Sequence, residues 1–240
     1  MRSLQVAFAV LEEIAEAQVI GVSELARRLN LPKATVQRSL RALADVRYVV
    51  RADKTQWQLS ARVLGLASQM KYHDNLARAA RPAMKDLCDE VDETIHLTVR
   101  EDRWVVLVSL VEPTRPVRTT AHISSMQLAH ATATGKAMLS ALSDEDVREL
   151  LGTGLETPTE RTIATIPALL KALAQIRQRG YAINDREYQI DTASIAAPIR
   201  DASGRTVAAM SISSPATRLK RNLWKPYGEA VARAASRVQI

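Results

Sequence analysis

A single cysteine among 240 residues excludes an internal disulfide and a multi-cysteine zinc site, and agrees with a reducing compartment. Cys88 is expected to sit buried as a small apolar side chain. No stretch approaches the roughly eighteen uninterrupted apolar residues that a bilayer-spanning helix needs, and the N-terminus lacks the apolar core of a secretion signal. A cytoplasmic location with no membrane partner is expected. The four histidines, His73, His96, His122 and His130, show no H-x-x-x-H ligand spacing, and no G-x-S-x-G nucleophile segment is present. The TGKA at 134–137 approaches a phosphate loop, but such a loop requires glycine where His130 stands and a hydroxyl where Ala137 stands. The residues therefore offer no metal, no cofactor and no catalytic constellation, and a non-enzyme is expected.

What is present is ordinary in amount and uneven in placement. Hydrophobic residues at 47% and charged residues at 25% suit a globular chain without low-complexity segments, long enough for a small domain and a medium one. The formal charge is +7, and residues 27 to 54 alone carry +6: Arg27, Arg28, Lys33, Arg38, Arg41, Arg47, Arg51 and Lys54 against Asp45 and Asp53. The preceding residues are acidic, with Glu12, Glu13, Glu16 and Glu24 expected to face away from a polyanion.

That cationic excess coincides with SELARRLNLPKATVQRSLRAL at 23–43, which reads as two short helices joined by a tight turn. Ser23 is expected to cap the first, with Leu25, Ala26 and Leu29 at helical spacing. Pro32 biases Leu31 out of helical geometry and restarts the chain. In the second helix Val36, Leu40 and Leu43 share one face, leaving Ala34, Gln37, Arg38 and Arg41 pointing the other way. A support helix over Ser3–Ala17 with Leu4, Val10 and Ile14 on its apolar stripe precedes them. A β-hairpin turning at Asp53 and Lys54 follows, the wing of a winged helix-turn-helix. Duplex DNA is the partner this layout fits. Thr35, Gln37 and Arg38 are the candidates for base edges, and Lys33, Arg41, Arg51 and Lys54 for phosphates.

Beyond Ala61 the pattern gives a connecting helix with Leu64, Ala67 and Met70 on an apolar stripe that a second copy of the chain would cover. A boundary at KYHDN and a helix over 75–91 that Pro82 kinks or splits come next. Strands are expected at 94–100, 104–112, 117–120, 194–199 and 206–213. Helices are expected at 133–142, at 143–151 opened by a Ser143–Asp146 capping box, at 167–179 stopped by Gly180, and at 227–238. Antiparallel strand pairs mixed with helices make an α+β second domain. The division expected is 1–66 for the DNA-binding domain and 67–240 for a linker helix with an effector-binding and oligomerisation domain.

Three segments carry a family resemblance: ELARRLNLPKATVQRSLRAL with YVV, HATATGKAMLSAL, and GYAINDREYQIDTASIAAPIRDASGRTVAAMSIS. In that order and spacing the chain resembles the IclR family of bacterial transcriptional regulators. The resemblance implies an N-terminal winged helix, a dimerising linker helix and a C-terminal effector domain related to the GAF fold. It also implies a dimer or tetramer on an inverted-repeat operator. Carried over by position, the effector pocket is formed by Ala131, Thr132, Ala133, Asn184, Ser194, Ser211 and Ser213. Asn184 stands where many relatives have an acidic residue, and Ser194 where many have cysteine. Hydroxyls, an amide and backbone N–H groups suit a carboxylate, so a small organic or aromatic acid from a catabolic route is the effector expected. Two other readings are a DNA-targeted enzyme, which needs a catalytic cluster in the second domain, and a regulator that has lost its effector.

Overall fold

Periodicity and turn chemistry place most elements of the computed structural model, which describes residues 2–240. The chain divides into two compact units, one ending at Lys71 and the other beginning at Tyr72.

The first unit runs α1 (Arg2–Ala17), β1 (Ile20–Gly21), α2 (Val22–Arg28), α3 (Lys33–Asp45), β2 (Val49–Arg51), β3 (Gln56–Leu59) and α4 (Arg62–Ala67). Helices α1, α2 and α3 bury Val10, Ile14, Leu25, Val36 and Leu40 against Val49 of the wing, all at 0–1% exposure. Each such side chain removed from water stabilises by roughly 1.5–3 kcal/mol, so six of them dominate the cohesion of this small unit. The wing strands β2 and β3 pair antiparallel, and β1 joins the far side of β3 with Ile20 opposite Trp57. That third strand, absent from the sequence reading, also corrects the helix cap. Because Ile20 and Gly21 are held extended by β3, α2 starts at Val22 with Gly21 as its N-cap, and Ser23 lies inside the helix without capping it. Leu4, expected on the buried stripe of α1, is instead exposed.

The second unit contains α5 (Lys71–Val91), β4 (Thr94–Glu101), β5 (Trp104–Val111), β6 (Met126–Leu128), α6 (Ala133–Leu139), α7 (Asp144–Leu151) and α8 (Ile166–Arg179). It continues through β7 (Ala182–Asp185), β8 (Thr192–Arg200), β9 (Thr206–Pro215) and α9 (Trp224–Ser236). The six strands form one antiparallel sheet in the order β6-β5-β4-β9-β8-β7. Period-two alternation gives the sheet two different faces. Ile95, Leu97, Ile195, Ile199, Met210 and Ile212 pack on one side with residues of α5 and α9. On the other side Ala182, Ala196 and Ala209 meet α6 and α8. The same side carries Asn184, Ser194, Ser211, Ser213, His96 and Thr98, spaced by even numbers along their strands.

Local signals hold at several ends. The Ser143 hydroxyl accepts the Asp146 N–H at 3.1 Å as the capping box requires, and Gly180 takes the left-handed φ of 82° that stops α8. Others are corrected. The boundary expected at KYHDN falls there, between Lys71 and Tyr72, but the segment is helical because α5 already begins at Lys71, and Pro82 sits inside α5 without splitting it. Pro82 is exposed, so the carbonyl it leaves unpaired can face water. Residues 117–120 form no strand. Pro113 and Pro116 supply no N–H groups, Val117 O accepts from Arg218 at 2.8 Å, and Thr119 O accepts from the Thr94 hydroxyl at 3.3 Å. Side chains, not a neighbouring strand, hold this segment.

Candidate functional site

Two sites emerge, one in each unit. On α3 the residues Lys33, Gln37, Arg38 and Arg41 are exposed and Thr35 is half-buried, while Val36 and Leu40 turn inward at 0–1% exposure. The 3.6-residue repeat separates these sets because the inward positions recur at four residues and the cations fill the gaps. Glu24 engages both Arg27 and Arg28 at 2.5–2.9 Å, and Glu13 engages Arg28 at 2.8 Å. Hydrogen bonds from Arg27 and then Arg28 hold the Glu24 carboxyl at about 2. Two cations counted in the basic excess are thus matched by carboxylates of the same unit, and α3, the turn after it and the wing keep the rest.

In the wing, Asp53 closes the turn by accepting the N–H groups of Thr55 at 2.6 Å and Gln56 at 2.8 Å. These bonds hold its carboxyl below the usual range. The Arg51 guanidinium lies 4.3 Å from the Trp57 ring centre and donates to Lys54 O at 2.7 Å, so it is pre-ordered on the hairpin. Both Arg51 and Lys54 remain exposed.

In the second unit the polar face of the sheet lines a cavity of about 50 Å³, room for one or two waters. Thr132, Asn184, Ser194, Ser211 and Ser213 all line it. Strand register explains the convergence, because Asn184 pairs with Ser194, Ser194 with Ser213, and Ser211 with His96 on successive strands. Ala131 and Ala133 are not among the lining residues, and Thr134 of α6 is. The Thr132 side chain is partly committed, its oxygen accepting the Gly135 N–H at 3.2 Å as the N-cap of α6. Asn184 uses Oδ1 to accept the Glu187 N–H at 2.7 Å, which leaves its NH2 group as the end a ligand can use. Among the described residues no Lys, Arg, Asp or Glu lines this cavity.

Sequence reasoning missed His96, Thr98, Tyr188 and the irregular segment bearing Thr119, Thr120 and Ser125, all of which line it as well. Alternation along TIHLTVR could have flagged His96 and Thr98, since both share the face of Thr94. Nothing in the pattern of 112–125 announces its position. His96 Nε2 and Thr98 Oγ1 are buried without a hydrogen-bond partner. Burial holds the His96 imidazole down to about 4, well below its ordinary 6.5. Between those values the unfolded chain binds the proton that the folded chain refuses, so acidification through this window destabilises the fold, by up to about 3 kcal/mol when complete. Urea unfolding at pH 7.5 and 4.5 should show a smaller loss in His96→Gln than in the wild type; equal losses would place the proton uptake elsewhere.

Behind the cavity Lys136 of α6 and Glu187 form a buried ion pair. Burial pushes the Lys136 ammonium down and the Glu187 carboxyl up, with the partner charge opposing each shift. The hydroxyls of Thr159 and Thr162 donate to Glu187 O, tying down the loop that carries Tyr188. His130 Nε2 donates to the backbone Glu156 O at 2.8 Å, and the residue lies outside the cavity lining.

Comparison with known proteins agrees with both units. The family described as "Bacterial transcriptional regulator IclR C-terminal" matches residues 69–240, and "IclR helix-turn-helix domain" matches residues 3–53. The transcriptional repressor IclR of Escherichia coli (strain K12) is 31% identical, over 100% of this chain and 89% of that protein. The crystal structure of the Thermotoga maritima IclR superposes with a TM-score of 0.79 at 24% identity, covering 99% of this chain and 97% of that one. An IclR homologue from Microbacterium hydrocarbonoxydans, crystallised with 4-hydroxybenzoate, gives a TM-score of 0.77 at 24% identity over 97% of both chains.

Proposed function

Because the chain belongs to the IclR family of bacterial transcriptional regulators, we propose that it is a regulator whose α3 reads an inverted-repeat operator while a small carboxylate-bearing metabolite in the second unit sets its DNA affinity. The observation that carries the DNA half is the split of α3 into a buried apolar face and an exposed face bearing Lys33, Gln37, Arg38 and Arg41. Arg38 and Gln37, adjacent on the outer face, suit bidentate contacts to base edges, with Thr35 beside them. Lys33, Arg41, Arg51 and Lys54 supply sequence-independent phosphate attraction. Residues 1–66 are the reading head in this scheme, and 67–240 carry the linker and the effector domain.

Self-association fits the exposed stripe of α4 and its C-terminal turn. Leu64 and Met70 are 71% and 52% exposed with Ala67 exposed between them on the same face, more apolar surface than an unpartnered helix usually shows water. A two-fold pair of reading heads, or two such pairs as a tetramer, doubles the bases contacted. The effector half rests on a cavity lined by neutral donors, which hydrogen-bond a carboxylate without a full countercharge. 4-Hydroxybenzoate, present in the Microbacterium structure, is an acid of this type. The ligand acts by binding one DNA-related conformation better than the other. No catalytic step is assigned to the protein, in keeping with relatives named as transcriptional repressors.

The test compares a duplex selected by the wild-type protein from a random pool with an unrelated duplex. Arg38→Ala should lose about 1–3 kcal/mol on the selected duplex and little on the other. Arg51→Ala should weaken both alike and lower the salt slope by about one. Equal losses on both duplexes for Arg38→Ala would remove base reading from α3.

A further inference from the structure

From the way the segment after β5 is held, we propose that residues 118–123 form a hinged gate over the cavity, latched by Thr119. The effector enters and leaves between Thr119 and Thr120 on one side and Gln189 and Thr192 on the other. The inference rests on reading the cavity as the effector site and goes beyond it by assigning a route and a moving part.

The argument begins with size. A cavity of about 50 Å³ holds one or two waters, and even a small organic acid has more heavy atoms than that. A ligand therefore has to displace part of the wall, and the part that yields at least cost is the one held by the fewest and weakest bonds. Thr119, Thr120, Gln189 and Thr192 line both the cavity and an open surface groove of about 680 Å³ outside it. They are the partition between the two. Its Gln189–Thr192 side is fastened by backbone, with Ala216 N donating to Asp191 O at 2.7 Å and Thr192 opposite Pro215 on β9. Its other side is not.

Between Pro113 and Ala121 no backbone group bonds to another backbone group among the described residues. The segment has two firm ends. At the first, Asp92 accepts the Thr114 N–H at 3.0 Å and the Arg115 Nε–H at 2.8 Å. Beside it Glu93, 2% exposed, takes Arg218 through both carboxylate oxygens at 2.6–2.7 Å. A guanidinium fixed in that fork aims its remaining N–H groups in set directions, and Arg218 Nη1 donates to Val117 O at 2.8 Å. At the second end Ser124 N donates to Leu107 O at 2.7 Å and Leu107 N to Ser125 O at 3.1 Å. Ser124 takes a φ of 68°, the left-handed region that favours glycine, so the chain turns sharply at this anchor. Between the two ends, among the described residues, 118–123 are hydrogen-bonded to the rest of the unit only through Thr119: its hydroxyl donates to Ser213 O and its carbonyl accepts from the Thr94 hydroxyl, both at 3.3 Å. Arg118 reaches only Glu112, in the same segment. Bonds of that length lie about half an ångström beyond the usual O–H···O distance of roughly 2.7–2.8 Å. Opening the gate breaks these weak bonds and leaves both clasps intact, the pattern of a local lid movement.

Thiol labelling tests the gate without an effector. Ser211→Cys places a thiol in the cavity wall, where Ser211 is 2% exposed, while the native Cys88 is buried on α5 against the opposite side of the sheet. Reaction with methyl methanethiosulfonate, followed by mass spectrometry, reads opening of the cavity at the first thiol and unfolding of the unit at the second. Thr119→Val removes the donor to Ser213 O and keeps the carbonyl that Thr94 uses. It should speed labelling at position 211 by about two- to tenfold, the worth of one ordinary hydrogen bond, and leave Cys88 at its wild-type rate. Thr119→Ser keeps the donor and should return the rate toward that of the wild-type gate. Ser194→Cys, on the neighbouring strand and in the same cavity, is the second reporter if Ser211→Cys fails to fold. An unchanged rate at the cavity thiol in Thr119→Val, equal acceleration of both thiols, or labelling through the intact gate as fast as at an exposed thiol overturns the proposal. The acid reading is tested apart from it: no acid is present in this assay, so loss of the gate leaves that reading standing, and an acid screen without a hit leaves the gate standing.

Discussion

Replacing Gly135 with alanine should destabilise the second unit by about 3 kcal/mol or more, at or above the upper end of the range for overpacked sites. A β-carbon built there lies 2.0 Å from Ala129 O and 2.4 Å from Ala129 Cα, and backbone cannot swing aside as a long side chain can. The clash falls where α6 begins over the sheet. Thr132 caps the helix through the Gly135 N–H, and Thr132 and Thr134 reach the cavity, so a displaced α6 also disturbs the ligand site. For a unit of this size each kcal/mol shifts the melting temperature by about 2–4 °C, so a drop of roughly 6–12 °C is expected by calorimetry. Gly154→Ala is the control, since its added methyl meets nothing within 4 Å. If Gly135→Ala stays within about 0.5 kcal/mol of the wild type, α6 is free to move away from Ala129 and its role as a fixed roof is lost.

Lys136→Ala should cost about 3–5 kcal/mol, the usual result when one partner of a buried ion pair is removed and the other charge is stranded. Glu187 is then left among groups that already push its carboxyl upward. A folded-state carboxyl raised above its unfolded value stabilises the fold at low pH and loses that advantage as pH rises. The variant's deficit should accordingly be larger at pH 8 than at pH 5. The double variant Lys136→Met with Glu187→Leu removes both charges and should recover most of the loss, because a well-packed apolar pair avoids the desolvation penalty. Urea unfolding of the three proteins at both pH values decides the matter. A double variant no better than Lys136→Ala would mean that Glu187 contributes mainly through its loop, where the Asn184 side chain and the hydroxyls of Thr159 and Thr162 hold its backbone.

The two sites were legible to different degrees. The exposed face of α3 followed from residue spacing alone, since Val36 and Leu40 had to point inward and the cations between them could not. The fate of Arg27 and Arg28 did not follow. Glu24 is close in sequence, but Glu13 comes from α1, and that pairing exists only once the helices pack. In the cavity, Ser194, Ser211 and Ser213 follow from the family resemblance, which carries them over by position, and not from residue spacing. His96 stands on a regular strand too, but no sequence rule says which face of a strand will be hollow.

Sequence by itself determined the features that depend on neighbours a few residues apart. These are the helix periods, the Ser143 capping box, the Gly180 stop, the alternation of β4, β8 and β9, and the concentration of positive charge between residues 27 and 54. Tertiary structure decided what depends on partners far along the chain. It recruited Ile20 and Gly21 to the wing sheet and so moved the start of α2. It denied residues 117–120 a strand by giving their carbonyls to Thr94 and Arg218, and it left His96 and Thr98 buried with no one to bond. Short-range preferences are set by covalent geometry and side-chain shape. Long-range partners are set by which surfaces meet when the sheet closes, and only there does a polar residue become satisfied or left waiting.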